Sequence, residues 1–546
     1  MNNLLKRFSL LVCILSFSPL TYSATDNFKN PILSGFYPDP SITRSGDTYY
    51  MTNSTFEWFP ALPIHKSKDL VNWELVGYGI NDTAHLNLQE GLNDSLGIFA
   101  PTIRYHGNTF YIITTCVGCG GNFIITAKDP AGPWSKPTWL KGAIGIDPSL
   151  YWEDGKSYYL GAGLLEAEDK KQWPGKNGIW MQEIDIESAS LLGQPKQLTF
   201  GHAANARWAE GPRLFKIDGE YMLLIGEGGT NEFHAVTVFN SPSLWGPYVP
   251  NHANPVLTHR HLQNTYPIAQ TGHADLVQTQ DEQWWSVVLA KRPQEGITLL
   301  SRETFLAKVV MSRNESGVTP IFNPGVGLLQ SEQPRPNLPW TPVQQEAARD
   351  EFNANELSLQ WNFLRTPSKQ LYALEAGALH LALAPQRIED LANPAFVAKR
   401  IKHHSFHAST ALNFSSTKQN EKAGLVLYRR STNHYQLLKQ ANELVLQKTN
   451  KRAENGKLIA SEIARVPYTH DSIIMRVDVN NNMAQFSFGQ DESQLAPIGA
   501  PQSVSILSDE VTQRFNGNYV GMYATSSGLV SNARAQFNWF EYSHKN

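Results

Sequence analysis

The sequence predicts an all-β protein in two parts, a five-bladed β-propeller followed by a β-sandwich of jelly-roll, concanavalin-like type. Three observations predict it. A short strand-like run leads into a turn and a paired-aromatic run five times, as YPDPSITRSGDTYY, APTIRYHGNTFY, IDPSLYWEDGKSYY, AEGPRLFKIDGEYM and GHADLVQTQDEQWW. The copies start near Pro38, Ala100, Ile146, Ala209 and Gly272, roughly 45–65 residues apart, a period that suits blades of four short strands. After a proline-rich break the pattern stays β but changes, and helical periodicity is scarce throughout.

The elements follow in chain order. Lys6 and Arg7 precede a mostly apolar run, Phe8 to Leu20, and Thr21, Ser23 and Ala24 offer small residues for cleavage. Residues 1–23 therefore read as a secretory signal, too short for a membrane span, and set the chain as exported, periplasmic or extracellular. Lipidation at Cys13 is disfavoured, because Val12 suits that site poorly and it falls too early in the apolar run. No other stretch is long and apolar enough to cross a bilayer. Residues 24–329 carry the blade signal, with Gly, Asp and Asn at the turns. Within them SKDLVNWELV, AKDPAGPWSKP and SPSLWGPYVP are each expected to close a blade with an outer strand and a Trp beneath the next turn. Residues 330–349 hold Pro334, Pro336, Pro339 and Pro342 and read as a semi-rigid linker. Residues 350–546 alternate differently: Leu379, Leu381 and Leu383 with His380 and Ala382, and Met475, Val477 and Val479 with Arg476 and Asp478. The Asn480–Asn482 run then turns into Met483–Phe488 as a hairpin, and such strands suit a two-sheet sandwich.

At 546 residues a single core is not expected. The net charge of −3 carries no basic excess, which argues against nucleic acid or an anionic membrane as partner. Aromatics make up 11% of the chain; many belong to the core, and some suit the apolar faces of sugar rings. Cys116 and Cys119 stand at C-x-x-C spacing. Zinc wants further ligands, and a redox motif wants a helix start, whereas this pair follows a strand and enters a Gly-rich turn. A local disulfide or two inert thiols is the expectation.

Each copy opens at the same relative place, with Asp39, Pro101, Asp147, Glu210 and His273. The first strand of a propeller blade lines the central channel, so three carboxylates and a histidine are expected to meet at one end of it. Hydrolysis of a glycosidic bond needs one protonated and one ionised carboxyl, and a third nearby raises the acid's pKa by repulsion. Glu210, with the longer side chain, is assigned the general acid. Asp39, held between Pro38 and Pro40, is assigned the general base, and Asp147 the residue that tunes and orients Glu210. Taken singly, an Asp before Pro is usually a turn residue and a Glu beside Gly-Pro a solvated one; recurrence at one blade position tips the balance. His273 suits a structural or ion-organising role. Arg302 suits a pair with a carboxylate or a fork to sugar hydroxyls, against a surface ion pair with Glu303. Phe56, Trp58 and Phe59 either wall a pocket or pack in the core.

NPILSGFYPDPSI, STFEWFP, GIDPSLYW, AEGPRLF, GEGGT followed by HAVT, GHADLV and SRETFLA together resemble glycoside hydrolase family 43, in particular its two-domain exo-acting β-xylosidases and α-L-arabinofuranosidases. The resemblance implies Asp39 as general base, Glu210 as general acid and Asp147 as pKa modulator. It also implies Arg302 and Phe56 as substrate contacts and His273 as the axial histidine, near which many members hold a calcium ion or water. No cofactor is required by this chemistry; a single Ca2+ in the channel is what the family allows. The sandwich of such enzymes lends an aromatic to the pocket rim, for which Phe515 is the candidate, and Trp58 is carried as a second aromatic contact. Two departures stand out: Thr102, where β-xylosidase relatives often carry an acidic residue, and the cysteines of TCVGCGGNF near the channel mouth, both expected to act on subsites beyond the reacting sugar. The implied function is an inverting exo-hydrolase that removes terminal β-D-xylosyl or α-L-arabinofuranosyl groups, or both, from hemicellulose-derived xylo- or arabino-oligosaccharides. The rivals are a carbohydrate-binding propeller without turnover and a retaining sucrose- or fructan-cleaving propeller.

Overall fold

A computed structural model describes residues 27–167, 171–262, 265–368, 370–452, 458–513 and 515–544. The expected leader, residues 1–23 with Cys13, lies outside the described residues. Among the described residues no helix is long and apolar enough to cross a membrane.

Each of the five sequence repeats forms the first two strands of a blade. These are Ser41–Ser45 with Thr48–Thr52, Thr102–His106 with Thr109–Val117, Ile146–Glu153 with Lys156–Ala162, Glu210–Ile217 with Glu220–Glu227, and Ala269–Gln278 with Trp284–Lys291. Two outer strands complete every blade: Ala61–Ser67 and Glu74–Ile80, Gly121–Ala127 and Thr138–Trp139, Ile179–Asp185 and Ser190–Thr199, Ala235–Ser241 and Val249–Pro250, Glu303–Asn314 and Gly317–Phe322. The first strands of successive blades touch one another in a closed ring, which puts them around the axis. The three Trp-containing segments join third strand to fourth. Two of the indoles serve their own turn rather than the next one, Trp73 Nε1 donating to Leu70 O at 2.8 Å and Trp134 Nε1 to Pro130 O at 3.1 Å, whereas Trp245 meets Tyr158 of the preceding blade edge-on at 5.8 Å.

Every blade takes its four strands from one stretch of the chain, so the ring is not closed by a shared blade. Side-chain packing closes it instead: Phe28, Ile42 and Met51 pack on Val277, Trp285 and Leu306. Strand Asn27–Lys29 pairs with Glu332–Pro334 beside that seam. The proline-rich segment is therefore not a free spacer. Its first residues are a strand, Leu338 is buried, and the Thr341 N–H donates to Asp69 Oδ2 at 2.9 Å on the propeller.

The C-terminal part is two antiparallel sheets of nine and eight strands. Strand Ser472–Asn480 buries Met475, Val477 and Val479 on one face, and Asn481 and Asn482, both left-handed at φ 47° and 59°, turn it into Met483–Gly489. The two parts share a sheet: Trp58–Phe59, from the first blade, pairs with Asn362–Leu364 as the last strand of the eight-stranded sheet. That pairing corrects the expectation for Trp58. The short strand carries its indole into the interface, fully buried and stacked on Tyr519 at 3.5 Å, where it cannot meet substrate.

Candidate active site

The site is built by a repeated break in the strand ladder. Asp39, Asp147, Gly211 and His273 are all left-handed, with φ of 53°, 53°, 58° and 47°. In blades three to five the register of the first strand slips at this point, between Ile146 and Ser149, between Glu210 and Arg213, and between Gly272 and Ala274. A bulge of this kind unpairs one residue and aims its side chain out of the sheet. Asp39 and Asp147 also precede Pro40 and Pro148, where an extended backbone is the rule, so their conformation is strained in the way functional residues often are. The common register corrects the sequence alignment. Gly211, not Glu210, is the equivalent of Asp39 and Asp147, and Ala100, not Pro101, stands two residues before its strand as Asp39 does. Glu210 sits one residue earlier and still faces the axis. A side chain at Gly211 would bring its Cβ within 2.9 Å of His273 Cε1, so the glycine leaves room for the imidazole.

Two residues further along each strand, side chains form a polar floor. Asp275 accepts from Ser41 Oγ at 2.7 Å, from the Ile42 N–H at 3.1 Å and from both terminal nitrogens of Arg104, with Arg213 Nε at 3.4 Å. Thr102 belongs to this floor: its Oγ1 donates to Pro148 O at 2.7 Å and it does not line the cavity, so it is no subsite residue.

Above the floor lies a cavity of about 660 Å³ lined by Asp39, Asp147, Glu210, His273 and Arg302. Asp147, Glu210 and His273 each place one ligand atom within 4.8 Å of the others. Phe56, Phe99 and Phe515 form an aromatic wall, with ring centroids 5.0 Å (Phe56–Phe99), 5.9 Å (Phe56–Phe515) and 6.0 Å (Phe99–Phe515) apart. Phe515 comes from the sandwich and is 41% exposed. Phe99, Trp208, Gln270, Lys291 and Asp509 also line the cavity and were not singled out from sequence. Phe99 and Trp208 carried a signal, since they immediately precede blade openings; Asp509 carried none, because its partner Lys291, at 2.7 Å, is more than two hundred residues away.

The carboxyl groups are pushed apart in pKa. Burial raises Asp39, but the Arg302 guanidinium, with His273 and a hydrogen bond from Ser54, outweighs it and holds the carboxyl below its ordinary value. Arg302 Nη1 donates to Asp39 Oδ1 at 2.9 Å and Ser54 Oγ to Oδ2 at 2.6 Å. Glu210 has no such hydrogen-bonded cation among the described residues: burial, then the charges of Asp147 and Asp39, outweigh the more distant Arg302 and raise it well above the usual carboxylate range. Burial and the Asp39 charge push Asp147 up to about 7. Burial lowers His273 to about 4, so its imidazole is neutral, and its Nε2 is buried without a partner among the described residues. The surroundings thus favour the ionised form of Asp39 and the protonated form of Glu210, the division that acid–base catalysis needs.

Arg302 does not pair with Glu303, which instead accepts from Arg292 at 2.7 and 2.8 Å. Besides Asp39 it donates to the Phe515 carbonyl at 2.7 Å and lies over the Phe56 and Phe515 rings at 5.0 and 5.3 Å. Cys116 and Cys119 form a disulfide that does not line the cavity. Cys116 pairs with Ile98, next to Phe99 of the aromatic wall, so the disulfide braces that wall from behind.

Residues 28–316 match glycosyl hydrolases family 43, and residues 349–543 match the β-xylosidase C-terminal concanavalin A-like domain. The chain belongs to glycosyl hydrolase family 43. A xylosidase/arabinosidase of Butyrivibrio fibrisolvens is 38% identical over 94% of this chain and 98% of its own length. A non-reducing end α-L-arabinofuranosidase of Bacteroides ovatus is 34% identical, covering 95% of each chain. Among solved structures, a Bacteroides ovatus GH43B from a xyloglucan utilisation locus superposes with a TM-score of 0.85 at 34% identity, over 95% of this chain and all of that one. A Bacillus halodurans xylan β-1,4-xylosidase superposes with a TM-score of 0.86 at 32% identity, again over 95% and 100%. This family 43 protein is therefore an exo-acting glycosidase, and a sugar-binding propeller without turnover is not what its full-length relatives are.

Proposed function

We propose that this family 43 enzyme removes single terminal pentoses, β-D-xylosyl and α-L-arabinofuranosyl, from hemicellulose-derived oligosaccharides with inversion. What supports the mechanism is the contrast between two carboxyls in one cavity: Asp39 is paired with Arg302 at 2.9 Å, and Glu210 is buried beside Asp147 and Asp39. Glu210 gives its proton to the glycosidic oxygen as that bond breaks. A water attacks the anomeric carbon from the other face and gives its proton to Asp39, so one water is consumed and no sugar–enzyme bond forms. Such a mechanism calls for roughly 6.5–9.5 Å between the two carboxyls. Burial and the neighbouring Asp147 and Asp39 carboxyls favour the protonated form of Glu210, and Arg302 favours the ionised form of Asp39. Both pentoses are included because relatives of similar identity carry both names: a Vibrio protein, 34% identical over 95% of this chain, is a xylan 1,3-β-xylosidase.

The unpartnered His273 Nε2 fits a water or a hydrated cation on the axis. Calcium takes six to eight oxygen ligands, and the carboxylates beside His273 are those assigned to catalysis, so an ion there would be held mainly through water. Bound in that way it would supply positive charge beside the Asp147 and Glu210 carboxyls. The basic and apolar start of the sequence and the Cys116–Cys119 disulfide both support export to an oxidising compartment.

Release of 4-nitrophenol from the β-D-xylopyranoside and the α-L-arabinofuranoside tests this reading. The parent should cleave at least one, and Asp39→Asn should lose roughly 10²–10⁴-fold in kcat. If neither glycoside is cleaved and Glu210→Gln binds oligosaccharide as the parent does, the proposal fails.

A further inference from the structure

Trp208 is a large aromatic residue in a backbone conformation that suits glycine or asparagine. Its φ is 51°, an outlier for a bulky side chain, and the residue is 37% exposed and lines the cavity. The surroundings hold it there. Its N–H donates to Gly175 O at 2.8 Å, and the carbonyl of Arg207 accepts from the Gly228 N–H at 2.8 Å. The Arg207 guanidinium, which does not line the cavity, covers the ring at 4.0 Å. Gly229 lies against the ring so closely that a Cβ there would come within 2.8 Å of it. A surface tryptophan kept in a strained conformation and braced from behind is a rigid platform rather than packing.

Its place in the chain says what it meets. Glu210 must reach the oxygen between the departing sugar and the sugar being cleaved. Trp208 is two residues upstream, at most about 7 Å along the chain, so it lies within reach of the sugar next to that oxygen. The carboxylates, His273 and Arg302 are assigned to the reacting pentose, while Trp208 lines the cavity against Gly229. We infer that Trp208 is the leaving-group platform, on which the second sugar ring of the substrate stacks, so that the enzyme is built for glycosyl aglycones rather than small alcohols. This rests on the pentosidase reading above and names which part of the substrate the site discriminates.

The test compares disaccharides with methyl glycosides, which place no ring on the platform: xylobiose against methyl β-D-xylopyranoside, and arabinobiose against methyl α-L-arabinofuranoside. Trp208→Asn is the informative variant, because asparagine tolerates the left-handed backbone and folding should not suffer. The ratio of kcat/KM for disaccharide over methyl glycoside should fall at least tenfold in Trp208→Asn, with KM for the disaccharide rising, and should recover largely in Trp208→Phe. Equal losses on both substrates, or an unchanged ratio, would overturn the inference. If the parent cleaves none of the four compounds, it is the pentosidase reading that fails, and binding of xylotriose to Glu210→Gln and to Glu210→Gln/Trp208→Asn still decides: equal affinity rejects the platform.

Discussion

Asp39 and Glu210 differ by one methylene and in their neighbours, and the neighbours set the direction in which each pKa moves. Replacing Arg302 by Met removes the main positive charge on Asp39, whose pKa then rises; the acid limb of the kcat/KM pH profile should move to higher pH while the alkaline limb, set by Glu210, moves less. Glu210 also has a stability signature. Its folded pKa lies above the unfolded value of about 4.3, so below that pH both states are protonated and nothing is lost. As pH rises past it, the unfolded chain ionises freely and the folded one does not, so stability falls until the folded pKa is reached. Glu210→Gln should therefore melt higher than the parent at pH 7.5, with the difference vanishing near pH 4; a constant or reversed difference would contradict the raised pKa. At this scale the three acids were legible because Asp-Pro and Glu-Gly-Pro recur at blade openings. What was not legible was which aromatic faces the cavity: Phe56 and Trp58 are two residues apart in STFEWFP, and only the pairing of Trp58–Phe59 with Asn362–Leu364 separates them.

The strand that begins with a bulge is the element that makes the site. The same left-handed residue, repeated in four blades, swings a side chain out of the ladder at the channel mouth in three of them and, as Gly211 in the other, leaves room for His273. Gly211→Ala tests its geometry, since the new Cβ meets the His273 ring and the φ of 58° disfavours any side chain. The variant should lose of order 1–3 kcal/mol of stability and at least tenfold in kcat, and near-parental behaviour in both would show that the bulge has slack. The period of the repeats exposed the blades, because turn residues and aromatic pairs recur with them, and the Asn480–Asn482 hairpin was legible for the same reason. The one-residue offset of Glu210 was not, because a bulge adds a residue without altering the pattern of apolar and polar side chains.

The whole molecule behaves as one body on this account, because the sandwich and propeller share a sheet and meet in the site. Arg302 binds Asp39 on one side and the Phe515 carbonyl on the other, so the proposed base is positioned partly by the sandwich. Calorimetry should show a single unfolding transition, and Trp58→Ala, which empties the stacked contact with Tyr519, should lower it by about 3–5 kcal/mol and reduce activity; two well-separated transitions would contradict a shared sheet. Long-range contacts such as Lys291–Asp509 and Arg302–Phe515 lie beyond any local pattern, which is why sequence suggested a rim aromatic but not its tie to catalysis. The central claim is that water, aimed by ionised Asp39, displaces a leaving group protonated by Glu210 in one step. Proton NMR of the first-formed sugar from a β-D-xyloside tests it most directly: α-D-xylose should appear first and mutarotate to the mixture, and β-D-xylose as the first product would contradict it.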